Sequence, residues 1–428
     1  MSDPSRLFSA GRVPTGFDSS NEPFAGLRRW KLILSAAAAA LFVVLGVATM
    51  LAGAVPVTPR SDFPVYWLAG KAVLEGRDIY GVAGPHAWQY VYPPPFAVAM
   101  VPFALLPLAG AMLVWFVLSA LSTVWAMQMC VAMARDRVAN EEDVLWLSAI
   151  PGLLVIGFYV SAITRGQASV LMLWLVVGAI FWERKGREAS GAACLAGAIL
   201  IKVFPALLLV YFAWRRRWRF LGATLVLLAL GVVLPGAAFG VHRNWTYLRH
   251  WETRVALPAL GSQLSPSEIA LQKQLFDFHK VRDESLYAVL RRLTHTQRAR
   301  AWAAAVVFAM AAAMWAVGRR TSPREDLFLS SAAVVWTLLA PPVSWSHYFI
   351  LLLLPLTALV AVARRREDAV ARRAAWGALA VFGVAGMVSV ALKGKLERYG
   401  IPCWATLGVW SVLLLTVARG KRAIAVEA

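Results

Sequence analysis

Long runs of apolar residues, each closed by a short burst of charge, set the rhythm of this chain. They cover Leu32–Ala54, Ala109–Ala134, Val144–Ala162, Ala168–Trp182, Phe220–Phe239, Ala301–Val317, Leu327–Ala340, Tyr348–Ala363, Ala374–Leu392 and Cys403–Ala418. A further run, Ala189–Trp214, is interrupted at Lys202 and Pro205 and reads as two half-length helices forming a hairpin. Counting that run twice gives about 12 membrane segments, some shorter than the ~20 residues a full crossing takes. The expected fold class is all-α, a polytopic integral membrane protein with two long outer loops, at residues 56–108 and 241–300.

Composition agrees with the pattern. The 428 residues are 60% hydrophobic and only 15% charged, against about 45–50% and 25% in soluble domains. The net charge of +20 changes the picture only through its placement. Basic clusters fall in the short loops at 135–143, 183–188, 215–219, 319–326, 363–373 and 418–422. The positive-inside rule makes these loops cytoplasmic, so the charge is a topology signal and no nucleic-acid partner is expected. Residues 1–31 read as a disordered cytoplasmic N-terminus, 32–418 as one membrane domain and 419–428 as a cytoplasmic tail. Ala52-Gly53-Ala54 is similar to a signal-peptidase site, but the apolar run before it is longer than a signal peptide needs. Cys130, Cys194 and Cys403 all lie in apolar stretches and read as buried thiols. No cluster has metal-ligand spacing.

Candidate chemistry sits at the outer ends. In SDFPVYWLAGKAVLEGRDIYG (61–81), apolar residues recur at helical spacing after Pro64, which predicts an amphipathic helix along the outer membrane surface. Asp62 would stand just ahead of its first turn, as a helix cap, as a catalytic carboxylate, or as both. Pro93–Pro95 bar a helix interior, so the chain should re-enter the membrane extended, with Tyr90 and Tyr92 as belt aromatics or site residues. In TRGQ (164–167), Arg165 lies next to hydrocarbon, where a charge costs about 2.5–3.5 kcal/mol on insertion scales. Lys202 interrupts LAGAILIKVFPALLL; it needs an anion, and Pro205 suggests broken-helix dipoles around a cavity. His347 closes PPVSWSH beside Ser344, Ser346 and Tyr348. Gathered on one face, these groups would set one carboxylate beside several phosphate-binding cations.

The stretches SDFPVYWLAGKAVLEGRDIY, VYPPPFAVAMVPFALLPL, RGQASVLMLWL, AGAILIKVFPALLLVYFAWRRRWR and PVSWSHYFILLLLPL together resemble glycosyltransferase family 87, the polyprenol-phosphate-sugar-dependent C-type (GT-C) transferases. The pieces stand in the family's order. Where the family has an Asn-Gln-Ser-Leu-like stretch, this chain reads Asp283-Glu284-Ser285-Leu286. The resemblance implies a GT-C fold with its active site at the outer face. It implies Asp62 as general base, with Lys202, Arg165 and His347 holding the donor phosphate. Tyr66, Tyr92, Gln167 and Tyr348, in the same motifs, would line the substrate. The donor would be a polyprenyl-phosphate sugar, most simply of mannose, and the acceptor a hydroxyl of a lipid or glycan, within membrane lipids. No cofactor and no obligatory metal are expected, since a lipid-phosphate leaving group dispenses with a nucleotide–metal complex. The competing expectations are a flippase or transporter for a lipid-linked sugar or other anion, a polyprenyl-phosphate-arabinose transferase, and a glycan ligase.

Overall fold

The computed structural model describes residues 61–84, 88–138, 141–260, 283–319, 326–365, 368–391 and 397–427, with a few scattered positions besides. All but a few residues of the expected first span, and the whole segment 1–31, lie outside them. The described elements are helices; their β pairing is limited to two isolated bridges, Ala83 with Gln89 and Asp283 with Trp345. The architecture is the expected all-α one. Six helical stretches are long and apolar enough to cross a membrane: Leu108–Arg137, Glu142–Thr164, Trp218–Phe239, Ala299–Gly318, Ser346–Arg364 and Ile401–Gly420. Three shorter apolar helices, Glu188–Ile201, Phe204–Trp214 and Asp326–Leu339, accompany them.

The first outer loop forms α1 (Phe63–Leu74) and α2 (Pro94–Ala99) before α3 (Leu108–Ala134). Next come α4 (Glu141–Thr164), α5 (Ser169–Arg184), α6 (Glu188–Ile201), α7 (Leu207–Trp214) and α8 (Trp218–Val233). The second outer loop carries α9 (Val241–Trp251) and α10 (Leu286–Thr294). The chain closes with α11 (Ala299–Gly318), α12 (Asp326–Leu339), α13 (Leu353–Arg364), α14 (Ala369–Ala391) and α15 (Ile401–Glu427). The stretch through α13 is the axis of the bundle: 89% of its apolar window is buried, against 17% for α4.

The interrupted run does form two limbs. α6 ends at Ile201, Lys202 is extended (φ −145°, ψ 134°), and a short 3-10 turn at Phe204–Ala206 leads into α7. Glu183, ahead of the first limb, meets Arg217, beyond the second, at 2.8 Å, so both limbs start and finish at the same end of the bundle. The other basic loops gather there too. Arg215 reaches Asp326 (2.9 Å) and the Gly318 carbonyl (3.2 Å), Arg364 pairs with Asp143, and Arg137 and Arg365 both lie over the Phe328 ring. Lys202 is at the opposite extreme, at the tip. Fourteen helical residues at ~1.5 Å each carry it about 21 Å from the base of α6.

The first outer loop departs from expectation. α1 is helical where predicted, with a proline in its first turn, but it has no single apolar face. Phe63, Val65, Tyr66, Ala69 and Ala72 are all buried, on more than one side of the helix. Gly70 permits the contact: a Cβ there would come within 2.7 Å of the Met100 carbonyl oxygen. The prolines also behave differently, since only Pro93 is extended and α2 begins at Pro94, with proline in its first turn. Nor are Tyr90 and Tyr92 belt aromatics, being 2% and 9% exposed. They join Phe63, Tyr66, Phe96, Trp115, Ala168, Met172 and Ile201 in a second hydrophobic cluster at the end of the bundle opposite the basic loops. Burying each large aromatic contributes about 1.5–3 kcal/mol, and that makes the loop a fixed platform.

Candidate active site

The turn between α4 and α5 is the site's keystone. Gly166 has φ +59°, and a Cβ there would meet the Phe63 Cβ at 2.7 Å, so both backbone and space demand glycine. The Arg165 carbonyl accepts the Asp62 backbone N–H (2.8 Å) and the Ser61 hydroxyl (3.2 Å). Trp115 donates its ring N–H to the Gly166 carbonyl at 3.1 Å. These bonds stitch the start of α1 to the TRGQ turn and fix Asp62 beside Arg165.

Asp62 occupies the N-cap position of α1 but makes no side-chain cap hydrogen bond. The cap reading of this carboxylate therefore fails. Burial pushes its pKa up from 3.8 to about 7, and the nearby positive charges of Lys202 and Arg165 pull it back only in part. A carboxylate that titrates near neutrality can both take and release a proton.

Lys202 is held by its surroundings. Its Nζ lies 3.4 Å from the Gln167 Oε1, 4.1 Å from the Tyr348 ring centroid and 5.4 Å from that of Tyr92. Two aromatic faces stabilise the ammonium of this partly buried lysine. Behind them the Tyr66 and Tyr92 hydroxyls share a 2.6 Å hydrogen bond, and Phe204 stacks on Tyr348 with ring centroids 5.1 Å apart. His347, on the 3-10 segment Ser346–Leu352 that packs against α5, is 5% exposed. Among the described residues its Nε2 has no hydrogen-bond partner. The sequence-derived set of Asp62, Tyr66, Tyr92, Arg165, Gln167, Lys202, His347 and Tyr348 thus gathers at one end of the bundle.

Asp283 plays a different part from a base. Its Oδ1 accepts the backbone N–H groups of Ser344 (2.9 Å) and Ser285 (3.0 Å). Glu284 N–H donates to the Ser344 carbonyl (2.7 Å), and the Ser285 hydroxyl donates to the Pro342 carbonyl (2.9 Å) while capping α10. The second outer loop therefore grips residues 342–345 and positions His347 just beyond them. Burial raises the Asp283 pKa, against the lowering effect of its two backbone donors. Sequence reasoning missed this clamp because its distant partners are backbone groups 57 to 61 positions away; the Ser285-Leu286 helix start was its one visible trace.

The geometry gives one proton-accepting carboxylate beside two cations and a histidine, walled by tyrosines. Such a site can remove a proton from a hydroxyl and stabilise a departing anion. The model of glycosyltransferase family 87 matches residues 90–344. Two proteins named polyprenol-phosphate-mannose-dependent alpha-(1-2)-phosphatidylinositol mannoside mannosyltransferase are each 27% identical to the chain. The one from Mycobacterium tuberculosis aligns over 77% of this chain and 75% of its own length. The one from Mycolicibacterium smegmatis aligns over 79% and 78%. A crystal structure of ArnT from Cupriavidus metallidurans bound to undecaprenyl phosphate aligns with 90% of the chain and 78% of its own, at 16% identity and a TM-score of 0.38.

Proposed function

The chain belongs to glycosyltransferase family 87, and from that premise we propose that it moves one mannose from a polyprenyl-phosphate donor to a hydroxyl of a lipid or glycan acceptor at the outer membrane face. The observation that carries this reading is Asp62: a carboxylate free of capping duty, with Lys202 and Arg165 close enough to act on its charge. The relatives' names supply the donor class. The gathering of the basic loops at the far end supports an outer-face site.

The reaction needs one displacement. The acceptor oxygen attacks C1 of the sugar as Asp62 takes its proton. The bond between C1 and the phosphate oxygen breaks, and its electron pair stays on the phosphate, whose charge rises by one. Lys202, Arg165 and His347 stabilise that developing charge. Attack from the face opposite the phosphate inverts C1, so a single carboxylate suffices, unlike the paired acids of glycoside hydrolysis. Tyr66, Tyr92, Gln167 and Tyr348 shape the pocket and hold Lys202 in place.

The test is transfer itself. Purified protein is incubated with polyprenyl-phosphate mannose, polyprenyl-phosphate arabinose and candidate lipid acceptors, and the products are identified by mass spectrometry. A mannosylated acceptor with inverted C1 is the expected result. Transfer of arabinose alone would overturn the donor assignment, and movement of intact donor across vesicles without transfer would overturn the reaction.

A further inference from the structure

No side chain caps the N-terminal end of α5. Ala168 occupies the cap position and makes no side-chain cap bond. The N–H groups of Ser169, Val170 and Leu171 are those a helix leaves unbonded at its start. Ser169 and Val170 are 0% exposed, so this is a buried helix end. An independent observation points the same way: the Ser169 hydroxyl, in that first turn, is fully buried and has no hydrogen-bond partner among the described residues. A serine that caps nothing and reaches no carbonyl is costly to bury.

The surroundings say what belongs there. Gln167, two residues before Ser169, holds the Lys202 ammonium at 3.4 Å. α5 and α6 pack together, and Lys202 is the C-cap of α6. The segment carrying His347 packs on α5 as well, with His347 Nε2 also unpartnered. Partial positive charge from the helix end, a spare hydroxyl donor, an ammonium and an imidazole therefore gather where the start of α5 meets the end of α6. That combination suits a phosphate.

We propose that the carrier's phosphate sits on the first turn of α5, with the Ser169 hydroxyl and first-turn N–H groups donating to its oxygens opposite Lys202. The inference rests on the transferase reading above and adds to it a phosphate-binding residue and a backbone seat. Such a seat favours the product phosphate, which carries one more negative charge than the donor, and so stabilises charge as it develops. The dipole of α5 needs no proton and no reorganisation to do this.

The experiment measures binding of undecaprenyl phosphate to the full-length protein in detergent, for wild type, Lys202→Met, Ser169→Ala and Ser169→Asp, with a melting curve for each. Ser169→Ala only removes an atom; it should fold and raise Kd about 10-fold or more, the loss of one hydrogen bond to a charged group. Ser169→Asp puts a carboxylate in the seat; it should abolish binding by repelling the phosphate, in protein whose melting curve shows a cooperative fold. Wild-type affinity in either Ser169 variant, with binding lost in Lys202→Met, overturns the seat and leaves the transferase reading standing. A wild-type protein that does not bind undecaprenyl phosphate overturns both.

Discussion

At the scale of single residues, two side chains carry the sharpest expectations. Asp62→Asn keeps volume and shape, so the protein should fold. It cannot take the acceptor's proton, and transfer should fall by about 100–10,000-fold with donor binding retained. A mutant that keeps most of its activity would send the search for the base elsewhere. The acid limb of the pH profile belongs to the same carboxylate. As the proposed base Asp62 must work without its proton, so kcat/KM should fall with unit slope below about pH 7 and level off above it. The raised pKa also means that the folded protein holds a proton the unfolded chain has lost between pH 4 and 7, so this group's contribution to stability fades as pH rises through that window. Lys202→Met should weaken donor binding by about 2–4 kcal/mol while the fold survives; titration with a non-transferable donor analogue measures it. Unchanged affinity would make the lysine structural.

Elements decide how these residues meet. The clamp on residues 342–345 predicts a graded series, read as donor affinity and kcat. Asp283→Asn keeps an oxygen for the N–H groups of Ser344 and Ser285 and should retain most activity. Asp283→Ala leaves both donors buried and unpaired, and should lower kcat by displacing His347. Equal activity in the two variants would show that the clamp positions nothing. Ser285→Ala removes the cap of α10 and should cost about 1 kcal/mol of stability. The helices themselves were legible, since apolar runs bounded by charge can form little else in a membrane. The broken run betrayed its two limbs through Lys202 and Pro205, and Asp62, Arg165, Lys202 and His347 stood out as charges or imidazole where apolar residues rule. What stayed hidden was contact made through backbone or between distant positions. The sequence does not reveal that α1 is packed against Met100 and within the aromatic cluster around Trp115, because apolar spacing looks alike whether it meets lipid or protein. Ser169 carries no signal at all until its surroundings are known.

Across the whole molecule, the sorting of charge between two ends predicts sidedness. A cysteine at Glu75, exposed after α1, should react in intact cells with a thiol reagent that cannot cross membranes, and one at Lys185 should not. The native Cys130, Cys194 and Cys403 are buried and give a quiet background. The opposite labelling pattern would invert the topology and move the chemistry to the cytoplasm. The two limbs that carry Lys202 also behave, mechanically, as a cantilever. Their tip reaches the active site, while their fixed end is the ionic clasp of Glu183 with Arg217 and Arg215 with Asp326. Loosening a clasp lets the far end of a beam wander. Arg215→Gln, about 20 Å from any reacting atom by the length of α6, should therefore raise the donor KM by blurring the position of one ammonium, and the reaction would have a physical handle at the far end of the bundle.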